Sequence, residues 1–375
     1  MGNLERRSFL SRLSLGVTSL LALPLRGAAA NANDKPMEQP LILKKAPMGF
    51  QWECFDPFLF CAHHEDAFPE GNVQCGPATP VDDRPLGDDF IIKDGFRMYH
   101  GKTVPGFPGH PHRGFETVTI VRQGMVDHAD SLGAAGRYGN GDVQWMTAGK
   151  GVQHSEMFPL LKTSEPNPLE LFQVWLNLPR KSKMVDAHFT MFWGDTIPKF
   201  SHTDANGNAT TVEVIAGRLG LHTAPAPPPN SWAADPSNHV AIWNILMEPG
   251  AEWVLPKTAE GVNRTLYFYE GNGLTVEGEA LPRYNYAIIR PDVNVKLKNG
   301  SAQAGILMLQ GKPIGEPVMQ YGPFVMNTKE EIQQAFEDYN RTRFGGWPWP
   351  KYDQVHPREK GRFALHADGR EEVKG

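Results

Sequence analysis

The amino-acid sequence predicts an all-β protein built from two strand-rich domains. Short runs of β-branched and aromatic residues recur at roughly ten-residue spacing, which is typical of β-sandwiches and barrels. Turn-forming residues are abundant, with 38 glycines and 32 prolines in a chain of 375 residues. A polar stretch at residues 201–208 separates two sets of these runs and is the predicted domain junction.

The predicted strands fall on both sides of this junction. The first set contains residues 117–121, 171–176 and 187–192. The second set contains residues 211–215, 240–247, 266–269, 293–297 and 306–309. The residue types of these runs favour strands. The proline-rich segment 223–236, which lies within the second set, is predicted to be a surface loop. We therefore predict an N-terminal domain over residues 33–205 and a C-terminal domain over residues 206–326.

One helix is predicted near the end of the chain, within residues 327–344. Thr328 and Glu331 have the spacing of a capping box. The apolar face that follows has helical periodicity and consists of Ile332, Ala335, Phe336 and Tyr339. This face is expected to pack against a barrel. Residues 345–375 are rich in Gly, Pro and charged residues and are predicted to form an extended tail.

The first 32 residues are interpreted as a twin-arginine (Tat) signal peptide. Residues 6–10 read R-R-S-F-L, which resembles the R-R-x-F-L export motif, and residues 30–32 form an A-x-A cleavage site. The apolar run at residues 13–25 is too short to span a bilayer as a mature helix. We expect export through the Tat translocon to the periplasm without stable membrane insertion, with an uncleaved anchor as the alternative.

The charge balance argues against nucleic-acid binding, and the cysteines give no redox or thiolate metal motif. A net charge of −5 argues against a nucleic-acid partner, because phosphate binding requires a basic surplus. The three cysteines form no C-x-x-C motif. A disulfide from Cys75 to Cys54 or Cys61 is compatible with an exported protein, but small buried side chains are the favoured interpretation.

Two short histidine motifs predict a metal site in the first domain. His110-Pro-His112 is an H-x-H motif, and His154-Ser-Glu156 is an H-x-E motif. On a strand, residues i and i+2 point to the same face, so each pair can present two ligands to one interior. Imidazole and carboxylate together suit Fe, Mn, Ni, Cu or Zn. Unrelated surface or core histidines are the alternative at this point.

Three histidines and one glutamate on an octahedral metal would leave two coordination positions open. That number suits a substrate oxygen and dioxygen at one metal. The pattern resembles the 2-His-1-carboxylate site of non-haem Fe(II) oxygenases with one added ligand.

The longer motifs around these pairs resemble the two signature stretches of pirins, a branch of the cupins. They read HPHRGFET over residues 110–117 and GDVQWMTAGKGVQHSEM over residues 141–157. The resemblance extends over about residues 50–344 through shorter matching segments at residues 56–60, 174–178, 183–185 and 322–328.

This resemblance implies a fold and a metal site. The implied fold is two tandem cupin (jelly-roll) β-barrels with a C-terminal helix. The N-terminal barrel would hold one mononuclear metal, usually iron, and the second barrel, which lacks an H-x-H motif, would be metal-free. The pirin ligand pattern falls on His110, His112, His154 and Glu156.

Some bacterial pirins are similar to quercetin 2,3-dioxygenases, and this implies an activity. We expect an Fe(II)-dependent dioxygenase that acts on a flavonol or a related phenolic, with Mn, Ni, Cu or Zn as alternative metals. Glu156 is the predicted catalytic residue, which would accept the proton of the substrate's 3-hydroxyl. A non-catalytic metal- or redox-sensing protein and another small-molecule cupin enzyme are the alternatives. The protein is expected to be a monomer.

The remaining polar residues near the motifs are interpreted as supporting or ordinary residues. Glu116 occupies the position where other cupins have a ligand, and it is expected to support the ligands from behind. The segment 63–89 looks like an insertion, and a polar surface loop is favoured over a lid or a second metal site. Ordinary strand or loop positions are assigned to His100, His128 and His188.

Overall fold

The computed structural model describes residues 40–87 and 90–374, and strands dominate this part of the chain. The predicted signal peptide, residues 1–32, lies outside the described residues. Within them, no helix is both long and apolar enough to cross a membrane.

Eleven strands lie in the described residues up to Phe192. They are β1 (Ile42–Pro47), β2 (Gln51–Trp52), β3 (Phe58–Asp66), β4 (Gly106–His112), β5 (Phe115–Gln123), β6 (Met125–Asp130), β7 (Ala135–Gly139), β8 (Val143–Thr147), β9 (Val152–Met157), β10 (Leu169–Asn177) and β11 (His188–Phe192).

The described residues from 199 to 374 contribute further strands and an α-helix. The strands are β12 (Lys199–Thr203), β13 (Ala209–Ala216), β14 (Arg218–Leu219), β15 (His222–Thr223), β16 (Ala241–Met247), β17 (Glu252–Leu255), β18 (Asn263–Glu270), β19 (Leu274–Val276), β20 (Glu279–Leu281), β21 (Asn285–Ile289), β22 (Val295–Asn299), β23 (Ala304–Gly311), β24 (Met319–Tyr321), β25 (Phe324–Met326), β26 (Arg362–Leu365) and β27 (Glu371–Lys374). The helix is α1 (Lys329–Thr342).

Four larger sheets form two barrels, which confirms the predicted all-β class. The N-terminal barrel consists of two six-stranded sheets with the orders β11-β8-β5-β10-β3-β2 and β27-β26-β7-β6-β9-β4. The C-terminal barrel consists of a seven-stranded sheet, β1-β21-β18-β23-β16-β13-β12, and a four-stranded sheet, β17-β22-β19-β20. The predicted two-barrel architecture is therefore present.

Strands cross the predicted domain boundaries in both directions. β1 and β12 lie within residues 33–205, yet β1 pairs with β21 and β12 pairs with β13 in the C-terminal barrel. In the other direction, β26 pairs with β7 and extends a sheet of the N-terminal barrel. Backbone groups at a sheet edge accept any strand of suitable register, so sequence position alone does not determine the partner.

The tail differs from the predicted extended arm because it folds back onto the N-terminal barrel. Arg137 on β7 binds Asp127 through a 2.7 Å hydrogen bond from Nε to Oδ1. The same guanidinium donates to the backbone carbonyls of His356, Pro357 and Lys360 at 2.9, 2.9 and 2.6 Å. One buried arginine thus links the barrel to the segment that leads into β26.

The two barrels share an apolar interface and differ in their interiors. Val118 and Ile120 on β5 pack in one cluster with Ile242 and Leu307 of the C-terminal barrel. Inside the C-terminal barrel, apolar side chains such as Trp243 and Phe268 fill the space between the sheets. The polar groups described below lie inside the N-terminal barrel.

Glu116 faces this interface, so the prediction that it supports the metal ligands is wrong. Its carboxylate accepts hydrogen bonds from Thr147 Oγ1 at 2.6 Å and from Ser231 Oγ of the C-terminal domain at 2.5 Å. The strand parity does not continue from His112, because a turn at Gly114 moves the chain from one sheet to the other. Gly114 has φ +85°, and a Cβ there would lie 2.0 Å from the Val325 carbonyl oxygen.

The predicted helix and its capping box are confirmed. Thr328 accepts from the Glu331 N–H, and the Glu331 side chain accepts from the Thr328 N–H. Ile332 and Ala335 are buried against Phe324 of β25 and Phe344. Arg113, next to the H-x-H motif, binds Asp338 of α1 at 2.9 Å. The helix therefore packs beside the strand that contains two predicted ligands.

The three cysteines are unpaired thiols. Cys61 and Cys75 are buried, and Cys54 is partly buried. Burial raises the pKa of the Cys54 thiol to about 12, which keeps it protonated. This agrees with the favoured interpretation of the cysteines as small packed side chains.

The buried carboxyl at the interface makes stability depend on pH. Burial raises the pKa of Glu116 to about 7 from an ordinary value of 4.5, so between these values the folded state holds a proton that the unfolded state has released. Stability from this group is therefore lost as the pH rises from 4.5 through 7. We expect Glu116→Gln to remove this loss, which is on the order of 3 kcal/mol at most.

Urea unfolding at pH 5 and pH 8 measures the effect. The variant should gain stability over the wild type at pH 8 relative to pH 5. Glu260→Gln, at an exposed position, is the matched control and should show no such difference. An equal pH dependence for wild type and Glu116→Gln would contradict the assignment.

Candidate metal centre

The register of β4 against β9 brings the two histidine motifs together. The two strands are antiparallel neighbours, and His110 lies directly opposite His154. The ring centroids of His110 and His154 are 4.5 Å apart, and those of His112 and His154 are 4.9 Å apart. Two motifs that are distant in the chain thus form one cluster.

β4 tolerates its unusual sequence because it is the edge strand of its sheet. Pro108 and Pro111 lack an N–H group, and an edge strand has one side that needs no partner strand. The N–H of Gly109 instead donates to the Tyr352 carbonyl in the folded-back tail at 2.7 Å. The alternation along the strand leaves His110 and His112 on one face.

The three imidazoles have the geometry of a metal-binding group. One ligand nitrogen from each of His110, His112 and His154 lies within 4.8 Å of the others. His112 and His154 are buried, whereas His110 is partly exposed to the adjacent cavity. Within residues 40–87 and 90–374, both ring nitrogens of His154 and Nδ1 of His112 are buried without a hydrogen-bond partner. Buried nitrogens without partners are costly unless something binds them, and the donor set fits a divalent metal.

Burial keeps these imidazoles in the form that binds metals. It lowers the pKa of His110 to about 4. It also holds the pKa values of His112 and His154 well below the usual range, with a further decrease from the neighbouring imidazoles. Neutral imidazole is the ligand form of histidine, so the cluster is ready to bind a metal at neutral pH.

Glu156 lies beside the histidine cluster rather than within the 4.8 Å group. One carboxylate oxygen, Oε2, is 3.8 Å from His154 Nε2 and accepts from Gln173 Nε2 at 3.0 Å. The other, Oε1, is 2.9 Å from Thr119 Oγ1. The sequence predicted Glu156 as the fourth metal ligand, and this role stays a prediction. Its contacts with Thr119 and Gln173 were not predicted.

The hydrogen bonds of the Thr119 hydroxyl can accommodate a protonated Glu156. Its oxygen is also 2.6 Å from Gln173 Oε1, and one hydroxyl has only one proton to donate. A protonated Glu156 can donate to Thr119, which then donates to Gln173. Burial raises the pKa of Glu156, which favours this neutral form. A cation on the histidines would oppose that shift and favour the carboxylate.

His128 is a fourth histidine at the cluster, and the sequence interpretation missed it. It lies on β6 directly opposite Glu156, and its ring centroid is 5.5 Å from that of His154. Its Nε2 is 3.3 Å from Asp130 Oδ2. The H-x-D spacing of His128 and Asp130 is the signal in the sequence, but such pairs are too common to identify a site.

The cluster opens into a cavity with mostly aromatic walls. The walls include Phe50, Phe60, Phe107, Phe158 and Trp175. His110, His112, Thr119, Glu156 and Gln173 line the same cavity. A planar, largely apolar molecule with polar groups directed at the histidines would fit these surroundings.

Two further histidines line this cavity, which corrects their predicted roles. His64 belongs to β3 and is buried, so the segment 63–89 begins in the barrel wall and not in a polar surface loop. His100 also lines the cavity. His188 is exposed on β11, as its ordinary assignment requires. The pairing of β3 with β10, which places His64 opposite Leu171, determines that His64 faces inward.

Comparison with known proteins identifies the family of the chain. The pirin family model matches residues 72–176, and the pirin C-terminal cupin domain model matches residues 242–345. A Pseudomonas aeruginosa protein provisionally named quercetin 2,3-dioxygenase is 39% identical over 64% of this chain and 79% of its own length. Human pirin is 32% identical over 69% of this chain and 83% of its own length.

A solved structure gives the same result for the fold. The crystal structure of a quercetin 2,3-dioxygenase from Acinetobacter baumannii has a TM-score of 0.63 and 29% identity, and the match covers 81% of this chain and 98% of that chain. The two family models fall in the N-terminal and C-terminal barrels, respectively. The chain belongs to the pirin family of cupin proteins.

Proposed function

We propose that this pirin is a metal-dependent dioxygenase that acts on a flavonol or a related phenolic. The observation that supports this function most directly is the cluster of three imidazoles beside an aromatic-lined cavity, which His110 and His112 line. Iron is the metal we propose, with His110, His112 and His154 as ligands and Glu156 as the fourth. When bound, such a metal provides a redox-active Lewis acid at which the spin barrier between dioxygen and a closed-shell phenol is relaxed.

Glu156 is the residue we assign to proton transfer. Its carboxylate lies at the cavity wall next to the histidines, within reach of a hydroxyl held there. Gln173 donates to one carboxylate oxygen and Thr119 contacts the other, so the group is held in one orientation. As the carboxylate, it can accept the proton of a flavonol's 3-hydroxyl.

The cavity walls position the ring system and exclude water. The faces and edges of Phe60, Phe107 and Trp175 can contact a planar phenol on several sides. Trp175 also packs edge-on against His112, with ring centroids 5.5 Å apart. Substrate and ligand thus share an aromatic neighbour, which brings the reacting groups into proximity.

The ligand assignment predicts a loss of metal in histidine variants. We expect His110→Ala and His154→Ala to reduce metal affinity by more than the roughly 10–100-fold that loss of an outer-shell partner costs, because each removes one of the four proposed ligands. Inductively coupled plasma mass spectrometry of the purified proteins measures occupancy. His188→Ala, which changes an exposed histidine of the same barrel, is the control and should retain one metal per chain. Full occupancy in His154→Ala would disprove the assignment.

The catalytic assignment predicts flavonol-dependent oxygen uptake. The iron-loaded protein should consume dioxygen with quercetin and release carbon monoxide. Glu156→Gln should lower kcat by roughly 100-fold or more, the usual effect of removing a general base. An oxygen electrode measures the rate, and metal analysis of the variant separates lost proton transfer from lost ligation. Glu260→Gln, at an exposed glutamate, should match the wild type.

The opposite results also discriminate between functions. A fully metallated protein that leaves quercetin and a panel of other phenolics intact under air would disprove the dioxygenase. Retained metal with no turnover, together with one specific co-purifying protein, would instead favour a metal- or redox-sensing role.

We also propose export to the periplasm through the Tat translocon. The proposal is supported by the twin arginines and the A-x-A site of the first 32 residues. Replacement of Arg6 and Arg7 by lysine should leave the protein in the cytoplasmic fraction. Immunoblots of periplasmic and cytoplasmic fractions check this, with Arg26→Lys as the control, and an exported double variant would contradict it.

A further inference from the structure

A second polar group lines the same cavity, separate from the histidine cluster. His64 on β3 is buried and packs edge-on against Phe50 and Phe107, with ring centroids 5.7 and 6.1 Å away. Its Nδ1 lies 3.0 Å from the hydroxyl oxygen of Tyr99. The proposed dioxygenase mechanism gives this histidine no role.

The neighbours of Tyr99 determine the direction of its hydrogen bond. Tyr99 OH is 2.5 Å from Asp66 Oδ2. The same oxygen accepts from Arg97 Nη2 at 2.9 Å, and Oδ1 accepts from Arg97 N and Nε at 2.8 and 3.0 Å. Burial raises the pKa of Asp66, but the surrounding donors and the guanidinium oppose that shift. A carboxylate surrounded by donors is the ionised form, so it accepts the Tyr99 proton.

Because Tyr99 donates to Asp66, the proton of the neutral His64 ring is placed on Nδ1. Because Tyr99 donates its only proton to Asp66, its oxygen can only accept from His64 Nδ1–H. Burial and the positive charge of Arg97 hold the pKa of His64 well below its usual value, so the ring is neutral. A neutral imidazole with its proton on Nδ1 has an acceptor lone pair on Nε2. Among residues 40–87 and 90–374, the hydrogen bond found for the His64 side chain is the one through Nδ1, and the ring lines the cavity.

His64 and His110 both pack against Phe107, whose ring centroid is 6.1 Å from that of His64 and 6.2 Å from that of His110. The His64 and His110 rings are therefore no more than about 12 Å apart. All three residues line the same cavity. A three-ring planar phenol is long enough to place one hydroxyl at the histidine cluster and another at His64.

We infer that His64 Nε2 accepts a hydrogen bond from a second hydroxyl of the bound phenol, at the end of the molecule away from the metal cluster. This inference rests on the proposed function and specifies its substrate class as phenols with two separated hydroxyls. Asp66, Arg97 and Tyr99 act as positioning residues, because they hold His64 in the tautomer that accepts. A methoxy or unsubstituted ring at this position would leave the buried acceptor unpaired, which disfavours such compounds.

Equilibrium binding without oxygen tests this subsite separately from catalysis. The probes are 3-hydroxyflavone and two dihydroxyflavones, in which a second hydroxyl is on either the fused ring or the pendant ring. Quenching of tryptophan fluorescence gives the dissociation constants for the metal-loaded protein under nitrogen. One of the two dihydroxyflavones should bind about fivefold more tightly than 3-hydroxyflavone, the usual gain from one neutral hydrogen bond.

Two variants identify the group responsible for that gain. His64→Phe retains a ring against Phe50 and Phe107 but lacks the acceptor, so within this variant the dihydroxyflavone should show no fivefold gain over 3-hydroxyflavone. Tyr99→Phe retains the aromatic rings at positions 64 and 99 but removes the oxygen that holds the proton on His64 Nδ1. It should therefore reduce the gain to less than about twofold. His188→Phe, at an exposed histidine, should keep the full gain.

Each outcome supports or overturns the inference. Equal affinity for all three probes in the wild type, or a gain that persists in His64→Phe, would overturn it while the proposed function stands. If His64→Phe does not fold, an unchanged gain in Tyr99→Phe overturns it. Absence of binding by every flavonol would overturn the proposed function and this inference together.

Discussion

The antiparallel register between β4 and β9 is the constraint on which the site depends. His110 lies opposite His154 in this register, and His112 and Glu156 follow on the same inner face. A shift of one residue would turn a whole set of side chains to the other face. The tail reinforces the edge strand, because Tyr352 accepts from Gly109 one residue before the first ligand. Strands and a tail segment that are far apart in the sequence therefore hold the three imidazoles in position.

The two barrels have similar architectures but differ in the polarity of their interiors. The C-terminal barrel is filled mainly with apolar side chains, and the buried Arg264 and Gln310 in it hydrogen-bond to each other. The N-terminal barrel instead buries imidazoles, carboxylates and an arginine–aspartate pair. Each unpaired buried polar atom costs about 1–3 kcal/mol, a cost that apolar burial elsewhere in the fold must offset. Metal binding would compensate for part of that cost.

The success and the failure of the sequence predictions have the same physical origin. Local rules predicted the strand-rich class, the capping box at Thr328 and the two-residue alternation of the histidine motifs. The same alternation failed for Glu116, because the turn at Gly114 moves the chain to another sheet. Local pattern also could not show that β26 pairs with β7, since a strand sequence does not specify its neighbour. Predictions failed where the chain changes sheets.

By itself, the sequence determined the fold class, the family and the four residues of the two histidine motifs, because these depend on residue patterns within short segments. Only the tertiary structure decided that three imidazoles meet within 4.8 Å and that Glu156 is held by Thr119 and Gln173. It also decided that His64 and His128 face the interior, where no motif distinguishes them. Distances between side chains depend on strand pairing across the barrel, and pairing is set by packing of the whole chain rather than by neighbouring residues.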